Sequence, residues 1–152
     1  MYERILVPLD GSKTGEAAIP NVEDLAVKMA PATKIEVILL QVVPMLTYNV
    51  LTEGGTAQIS YSEKDMQQIK QKAKEYLDKV AERMRAKGLN ARTIVVAGHA
   101  AEEIVRVALE INANIIAMST HGLSGLKRWA LGSIADKVLH ISDIPVLVIR
   151  AK

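Results

Sequence analysis

The sequence predicts a doubly wound α/β fold of the Rossmann-like kind, a five-stranded parallel sheet with helices on both faces. Two observations carry that expectation. Five short apolar runs rich in Val, Ile and Leu recur along the 152 residues, with the near-continuous hydrophobicity of strands covered on both sides. Four stretches whose apolar residues recur at spacings of three and four alternate with these runs. Strands alternating with helices imply right-handed crossovers and a parallel sheet.

The elements follow in order. The first run is ILVPL, residues 5–9. Residues 14–29 then carry Ala17, Ala18, Val22, Leu25, Ala26 and Met29 at helical spacing. The second run, IEVILLQVV, covers 35–43. Residues 44–62, PMLTYNVLTEGGTAQISYS, read as one long irregular connection, because Gly54-Gly55 and scattered polar residues argue against a regular element. A helix over 63–87 places Met66, Ile69, Ala73, Leu77, Val80 and Met84 along one stripe among Lys, Glu, Gln and Arg. The third run is RTIVVA, 92–97, followed by a helical pattern over 100–111 with Ile104, Val107, Ala108 and Ile111. NIIAMS, 114–119, is the fourth run. Ile134, Val138 and Leu139 mark a last helix over 133–140, before the fifth run, VLVIR, 146–150. With no internal repeat and no low-complexity tract, one domain over residues 1–152 is expected.

Composition narrows the function. Half of the residues are hydrophobic and a quarter charged, as in ordinary globular domains. A net charge of +2 without a basic, aromatic-interleaved run argues against nucleic acid as a partner. The absence of cysteine removes disulfides, thiolate metal sites and cysteine nucleophiles. MYERILVPLDGS lacks the regions of a signal peptide, and no apolar stretch reaches the length of a membrane span. No membrane association and a cytoplasmic location are therefore expected.

In open α/β sheets, ligands bind outside the carboxyl ends of the strands where strand order reverses. Pro8-Leu9-Asp10-Gly11-Ser12, Gln41-Val42-Val43-Pro44 and the segment from Ser119 to Ser133 all leave strands at that edge. The last segment reads STHGLSGLKRWALGS. Gly122 and Gly125 permit a close backbone approach to an anion, and Gly132-Ser133 begins a helix whose first N–H groups favour negative charge. Ser124 and Ser133 add hydroxyl donors, and Lys127 and Arg128 add positive charge. Spacing leaves two readings open, a cradle for a di- or triphosphate or turns with Ser133 as a helix cap. Asp10 likewise suits a ribose hydroxyl, or an Asx turn with Ser12 capping the next helix. His121 sits in the candidate loop, where orienting the turn and touching a ligand are both open to it. His99 suits the start of a helix, and His140 the end of one. No second acid or base accompanies Asp10 at useful spacing, which favours a binding module over an enzyme.

The pattern of these residues resembles the universal stress protein family, in its ATP-binding branch. The resemblance runs through RILVPLDGS, ILLQVV, STHGLSGLKRWALGSIADKVL and IPVLVIR, essentially the whole chain. Gly122, nine residues and Gly132-Ser133 match the second and third parts of the family's G-2x-G-9x-G-(S/T) motif, while Ser119 stands where the first glycine belongs. The resemblance implies a strand order of 3-2-1-4-5 and ATP, with Mg²⁺, as the ligand. It implies adenine near Pro8, Val42 and Met118, with ribose at Asp10 and Leu9 among the nucleotide-binding residues. Ser119, Gly122, Gly132, Ser133 and Ile134 would line the ribose and phosphates, with His121, Ser124 and Gly125 nearby. It also implies a regulatory, stress-response role with slow or no hydrolysis, and a homodimer through strand 146–150. Two other classes stay in view: a dimeric scaffold without nucleotide, and a nucleotidyl-transferase-type enzyme, whose usual signatures DGSKTGEA lacks.

Overall fold

The structure, a computed structural model, describes residues 3–29, 34–45, 47–60, 62–120 and 132–151. Along the chain it runs β1 (Arg4–Pro8), a 3-10 turn (Gly15–Ala18), α1 (Ile19–Met29), β2 (Glu36–Val43), β3 (Thr47–Thr52) and β4 (Gly55–Ser60). It continues through α2 (Glu63–Ala86), β5 (Asn90–Ala97), α3 (Ala100–Glu110), β6 (Ile115–Thr120), α4 (Ser133–Ile141) and β7 (Val146–Arg150). The five expected apolar runs become β1, β2, β5, β6 and β7. They form one sheet in the order β5-β2-β1-β6-β7, every pair parallel. Counted among these five strands alone, that is 3-2-1-4-5.

Burial explains why the runs are apolar without interruption. Along β1, Ile5 and Val7 enter a core beneath α1 and α2, together with Val37 and Leu39 of β2. Leu6 between them points the other way, into a core with Ile38, Leu40 and the apolar faces of α3 and α4. A strand with both faces covered cannot alternate apolar with polar residues. The helices need only one apolar stripe: Val22 and Ala26 in α1, Leu77, Val80 and Met84 in α2, Ile104, Val107 and Ala108 in α3. Each fully buried aliphatic side chain contributes about 1.5–3 kcal/mol of burial free energy.

Local chemistry sets the helix starts. Ser62 precedes α2 and its hydroxyl oxygen accepts from the Asp65 N–H at 3.2 Å, while Ser62 donates to the Asp65 carboxylate at 2.9 Å. The first helix departs from the expected 14–29, because Gly15–Ala18 forms a 3-10 turn and α1 begins at Ile19. Pro20 has no N–H to donate and is tolerated in the first turn of a helix, so the α-helix begins where that proline falls.

The connection over 44–62 corrects the expectation of irregular structure. β3 and β4 pair as an antiparallel hairpin, in register from Thr47↔Ser60 to Thr52↔Gly55. Gly54-Gly55 is the turn and not a breaker: Glu53 and Gly54 link the strands, Gly55 takes φ +125°, and the Thr52 hydroxyl donates to the Gly55 carbonyl at 2.9 Å. Val50 stands opposite Ala57, so apolar residues do alternate along the strands, over too few positions to stand out in the sequence. The hairpin forms its own two-stranded sheet, and Leu51 on it is 87% exposed.

Leu39 and Leu51 thus test the core directly. Leu39→Ala should cost about 2–5 kcal/mol in urea unfolding, whereas Leu51→Ala should stay within about 0.5 kcal/mol of the parent. Equal losses for the two variants would contradict the placement of β2 and the hairpin.

Candidate functional site

Strand order reverses between β1 and β6. From β1 the chain proceeds outward through β2 and β5 on one side, and through β6 and β7 on the other. β1 pairs with β2 from Arg4 to Pro8, and the Leu9 N–H extends the ladder to the Leu40 carbonyl at 2.7 Å. Its pairing with β6 covers only Ile5↔Ile115 and Leu6↔Ile116. Beyond Leu6 the carboxyl ends of β1 and β6 no longer bond each other, and a crevice of about 400 Å³ opens there. That volume lies within the ~300–1,000 Å³ typical of small-molecule pockets.

The crevice brings together every sequence-predicted residue that is described. Pro8, Leu9 and Asp10 come from β1 and the turn after it, Val42 from β2, Met118 and Ser119 from β6, and Gly132, Ser133 and Ile134 from the start of α4. His121, Gly122, Ser124 and Gly125, with Lys127 and Arg128, lie outside the described residues. Five lining residues were not foreseen: Gly15, Ala100, Ile104, Thr120 and Ala135. Thr120 and Ala135 adjoin predicted positions. Ala100 and Ile104 arrive on α3, the helix after β5, and carry no polar signal by which a sequence could mark them.

The walls are of two kinds. Val42, Ile104, Met118 and Ala135 form an apolar side continuous with the α3–α4 core, suited to a flat uncharged ring. Asp10, Ser119, Thr120, Gly132 and Ser133 give polar groups, and Asp10 is the only charged side chain among the described lining residues.

Asp10 is held by a compact turn. Its Oδ1 accepts from the Ser12 N–H at 2.9 Å and from the Ser12 hydroxyl at 2.5 Å, the Asx turn expected from Asp-Gly-Ser. The Ser12 oxygen in turn accepts from the Gly15 N–H at 3.0 Å, although the N-cap position of the 3-10 turn falls to Thr14 and not to Ser12. A Cβ on Gly15 would lie 2.6 Å from Asp10 Oδ1, so any larger residue there would displace the carboxylate. Ser119, across the crevice mouth on β6, donates from its hydroxyl toward the carbonyls of Thr14 at 2.8 Å and Gly15 at 2.9 Å.

At the start of α4, Gly132 occupies the N-cap position with φ −57° and ψ 147°, and no described side chain caps this end. Ser133 is therefore the first helical residue and not the cap, a correction to one of its two readings. Among the described residues no side chain serves the leading N–H groups of this nine-residue helix, the groups that have no partner within the helix itself. A Cβ added to Gly132 would meet none of the described residues within 4 Å. Lys137 of α4 bonds Glu102 of α3 and holds its carboxyl below the usual carboxylate range, which ties together the two helices flanking the crevice. His99 takes the N-cap position of α3 but makes no side-chain cap. Exposed His140 contacts the Asp136 carbonyl, one turn back in α4, at 2.7 Å.

On the α2 side, the Tyr76 hydroxyl and Gln41 Oε1 are buried without a partner among the described residues. Burial, and after it the negative charges of Glu16 and Asp10, push the Tyr76 pKa up to about 12. Arg83 pairs with Glu16 and partly offsets that charge. Among the described residues, no three His, Asp or Glu side chains cluster as a metal cage, and no helix is long and apolar enough to cross a membrane.

Comparison with known proteins gives this geometry a family. The universal stress protein family model matches residues 1–150. Universal stress protein YxiE of Bacillus subtilis strain 168 is 31% identical over 152 residues, covering 99% of this chain and 100% of that protein. Universal stress protein MJ0577 of Methanocaldococcus jannaschii is 31% identical over 161 residues, covering 100% of this chain and 97% of that one. The solved MJ0577 structure matches with a TM-score of 0.73 at 30% identity, over 100% of this chain and 98% of that one. A universal stress protein solved in complex with cAMP shares the fold, with a TM-score of 0.66 at 20% identity over 99% and 98% of the two chains. With the family model spanning nearly every residue and relatives aligned end to end, this chain belongs to the universal stress protein family.

Proposed function

We propose that this chain is a single ATP-binding domain of the cytoplasm that responds to nucleotide as a regulatory module of the stress response. The observation that carries this reading is the crevice at the strand-order switch, with an apolar wall on one side and Asp10 and the first residues of α4 on the other. Adenine packs against Pro8, Leu9, Val42 and Met118, the ribose hydroxyls meet Asp10, and the phosphates run toward Ser119, Gly132, Ser133 and Ile134. His121, Gly122, Ser124 and Gly125 complete the phosphate side. The reading is supported by Gly132 itself, which has no side chain and no described neighbour within 4 Å of the Cβ position, so the backbone N–H groups that follow it suit an anion. Mg²⁺ enters with the nucleotide, keeping phosphate and water oxygens as ligands.

The nucleotide-free scaffold is the competing reading. Nucleotide released on denaturing the purified protein and identified by mass spectrometry separates the two. Gly132→Val tests the site itself. The new side chain projects into the phosphate path and should weaken ATP binding about 100-fold or more in calorimetry. Valine is a poorer N-cap than glycine, so about 1 kcal/mol of stability should be lost as well, which leaves the protein folded. Unchanged ATP affinity in folded Gly132→Val protein would sink the assignment.

Hydrolysis is slow or absent in this reading. Asp10 is the only carboxylate of the described crevice, and its Oδ1 is already engaged by Ser12, which leaves no evident base for the attacking water. Turnover should fall below about 1 s⁻¹, the low end for phosphoryl-transfer enzymes. Faster multiple-turnover ATPase, absent from Gly132→Val, would overturn this and revive an enzymatic role.

The same chain forms a homodimer through β7. Ile116 N–H bonds the Pro145 carbonyl and Ala151 N–H bonds Thr120, a phase that turns the Leu147 and Ile149 N–H groups toward β6. The Val146, Val148 and Arg150 N–H groups then face the open edge. Antiparallel pairing with a second β7 satisfies them by a twofold operation, and Leu139 and Ile141, 39% and 42% exposed on the adjoining helix, add apolar area. Val148→Pro removes one outward donor and spares the inner ladder. It should shift sedimentation from dimer to monomer with little change in thermal unfolding. A monomeric parent at micromolar concentration, with or without ATP, would refute the dimer.

A further inference from the structure

Ser119 stands where the family motif has its first glycine, and its hydroxyl is not idle. Two carbonyls, Thr14 O at 2.8 Å and Gly15 O at 2.9 Å, converge on the one proton it can donate. They come from the N-cap and the first residue of the 3-10 turn that follows Asp10, while Ser119 itself is paired in the sheet opposite Ile149 of β7. The hydroxyl therefore anchors a surface turn to a rigid strand, across the crevice and more than 100 residues away in sequence. A glycine at 119 has no hydroxyl with which to make this contact.

The anchored turn controls one other thing. Gly15 N–H holds the Ser12 oxygen, and Ser12 holds Asp10 Oδ1 through both its N–H and its hydroxyl. A continuous chain of hydrogen bonds thus runs from Ser119 through the Thr14–Gly15 peptide and Ser12 to the carboxylate. The close approach of Gly15 to Asp10 makes the carboxylate position depend directly on where that turn sits. Oδ1 is consumed inside the turn and Oδ2 is left to face a ligand. A site that reads a diol with a single carboxylate oxygen depends on holding that oxygen to within about 0.5 Å.

We propose that Ser119 is a positioning residue. Its hydroxyl clasps the Thr14–Gly15 turn to β6 and so aims Asp10 at the ribose diol, which makes the chain selective for ribonucleotides over nucleotides lacking both ribose hydroxyls. This rests on the ATP reading given above. Without the clasp, the turn must be ordered at the moment of binding, and that cost falls on ligands that use Asp10 and not on those that do not.

The test compares ATP with 2′,3′-dideoxy-ATP by calorimetry in the parent, Ser119→Ala and Ser119→Gly. Amide hydrogen exchange over residues 10–18 is measured separately without nucleotide. The parent should favour ATP. Loss of the hydroxyl should weaken ATP binding about three- to tenfold, the range of one net hydrogen bond, and change dideoxy-ATP binding less than twofold. Exchange over 10–18 should accelerate by a similar factor while the buried turns of α2 stay protected. Ser119→Gly installs the motif residue, which serves as a second variant should alanine disturb the strand. An unchanged ATP to dideoxy-ATP ratio, or unchanged exchange over 10–18, in a folded variant overturns the proposal. A parent protein that binds neither nucleotide overturns the ATP reading instead, and the nucleotide-free exchange distinguishes that outcome from failure of the clasp.

Discussion

Two-sided burial of β1 is the constraint on which the rest of the molecule depends. Ile5, Leu6 and Val7 are all fully buried, and they can be so only if helices cover both faces and strands flank both edges. β1 lies between β2 and β6, and each crossover helix must pack on one face or the other. The chain reverses its direction of growth across the sheet beside β1, and a sheet that grows in both directions from one strand has a gap at its carboxyl edge. The crevice is thus a consequence of how the core closes and needs no separate device.

What lines the gap follows from register. Because β1 stays bonded to β2 through Leu9 but leaves β6 after Leu6, the turn carrying Asp10 is held by the sheet ladder on its β2 side alone. Ser119 supplies a contact on that side. The Lys137–Glu102 pair does the same for the opposite wall, joining α4 to α3. Both ties are exposed or half-buried and contribute little to global stability. Their effect is on the geometry of the rim.

Among the described residues, charge around the crevice is uneven. Asp10 and Glu16 set a negative field on the α2 side, enough to help raise Tyr76 to about 12. The raised value means that the neutral phenol is favoured in the fold, a preference fully present below pH 10 and lost as pH climbs toward 12. The α4 side carries the positive end of a helix. A ligand with a hydroxyl-bearing end and an anionic end would match this polarity in one orientation only.

The strands and helices were legible because their burial imposes periodicity: runs such as IEVILLQVV can be covered only on both faces, and the α2 stripe from Met66 to Met84 only on one. Asp10, Val42 and Gly132-Ser133 were legible as candidates to line the crevice because strand ends and helix starts meet at the carboxyl edge of this fold class. The β3–β4 hairpin was not, since its alternation is short and Gly-Gly marks a turn and a break equally well. Ala100, Ile104 and Gly15 were missed for a related reason: apolar side chains and a small turn residue join a site only through their position relative to distant segments. Sequence by itself determined the fold class, the order of the five sheet strands and four helices, and the residue types at the end of β1 and the start of α4, because these rest on local pattern. Tertiary structure alone decided that Ser119 bonds the turn after Asp10, that β1 parts from β6 beyond Leu6, and that α3 walls the crevice, because each is a contact between residues far apart in the chain.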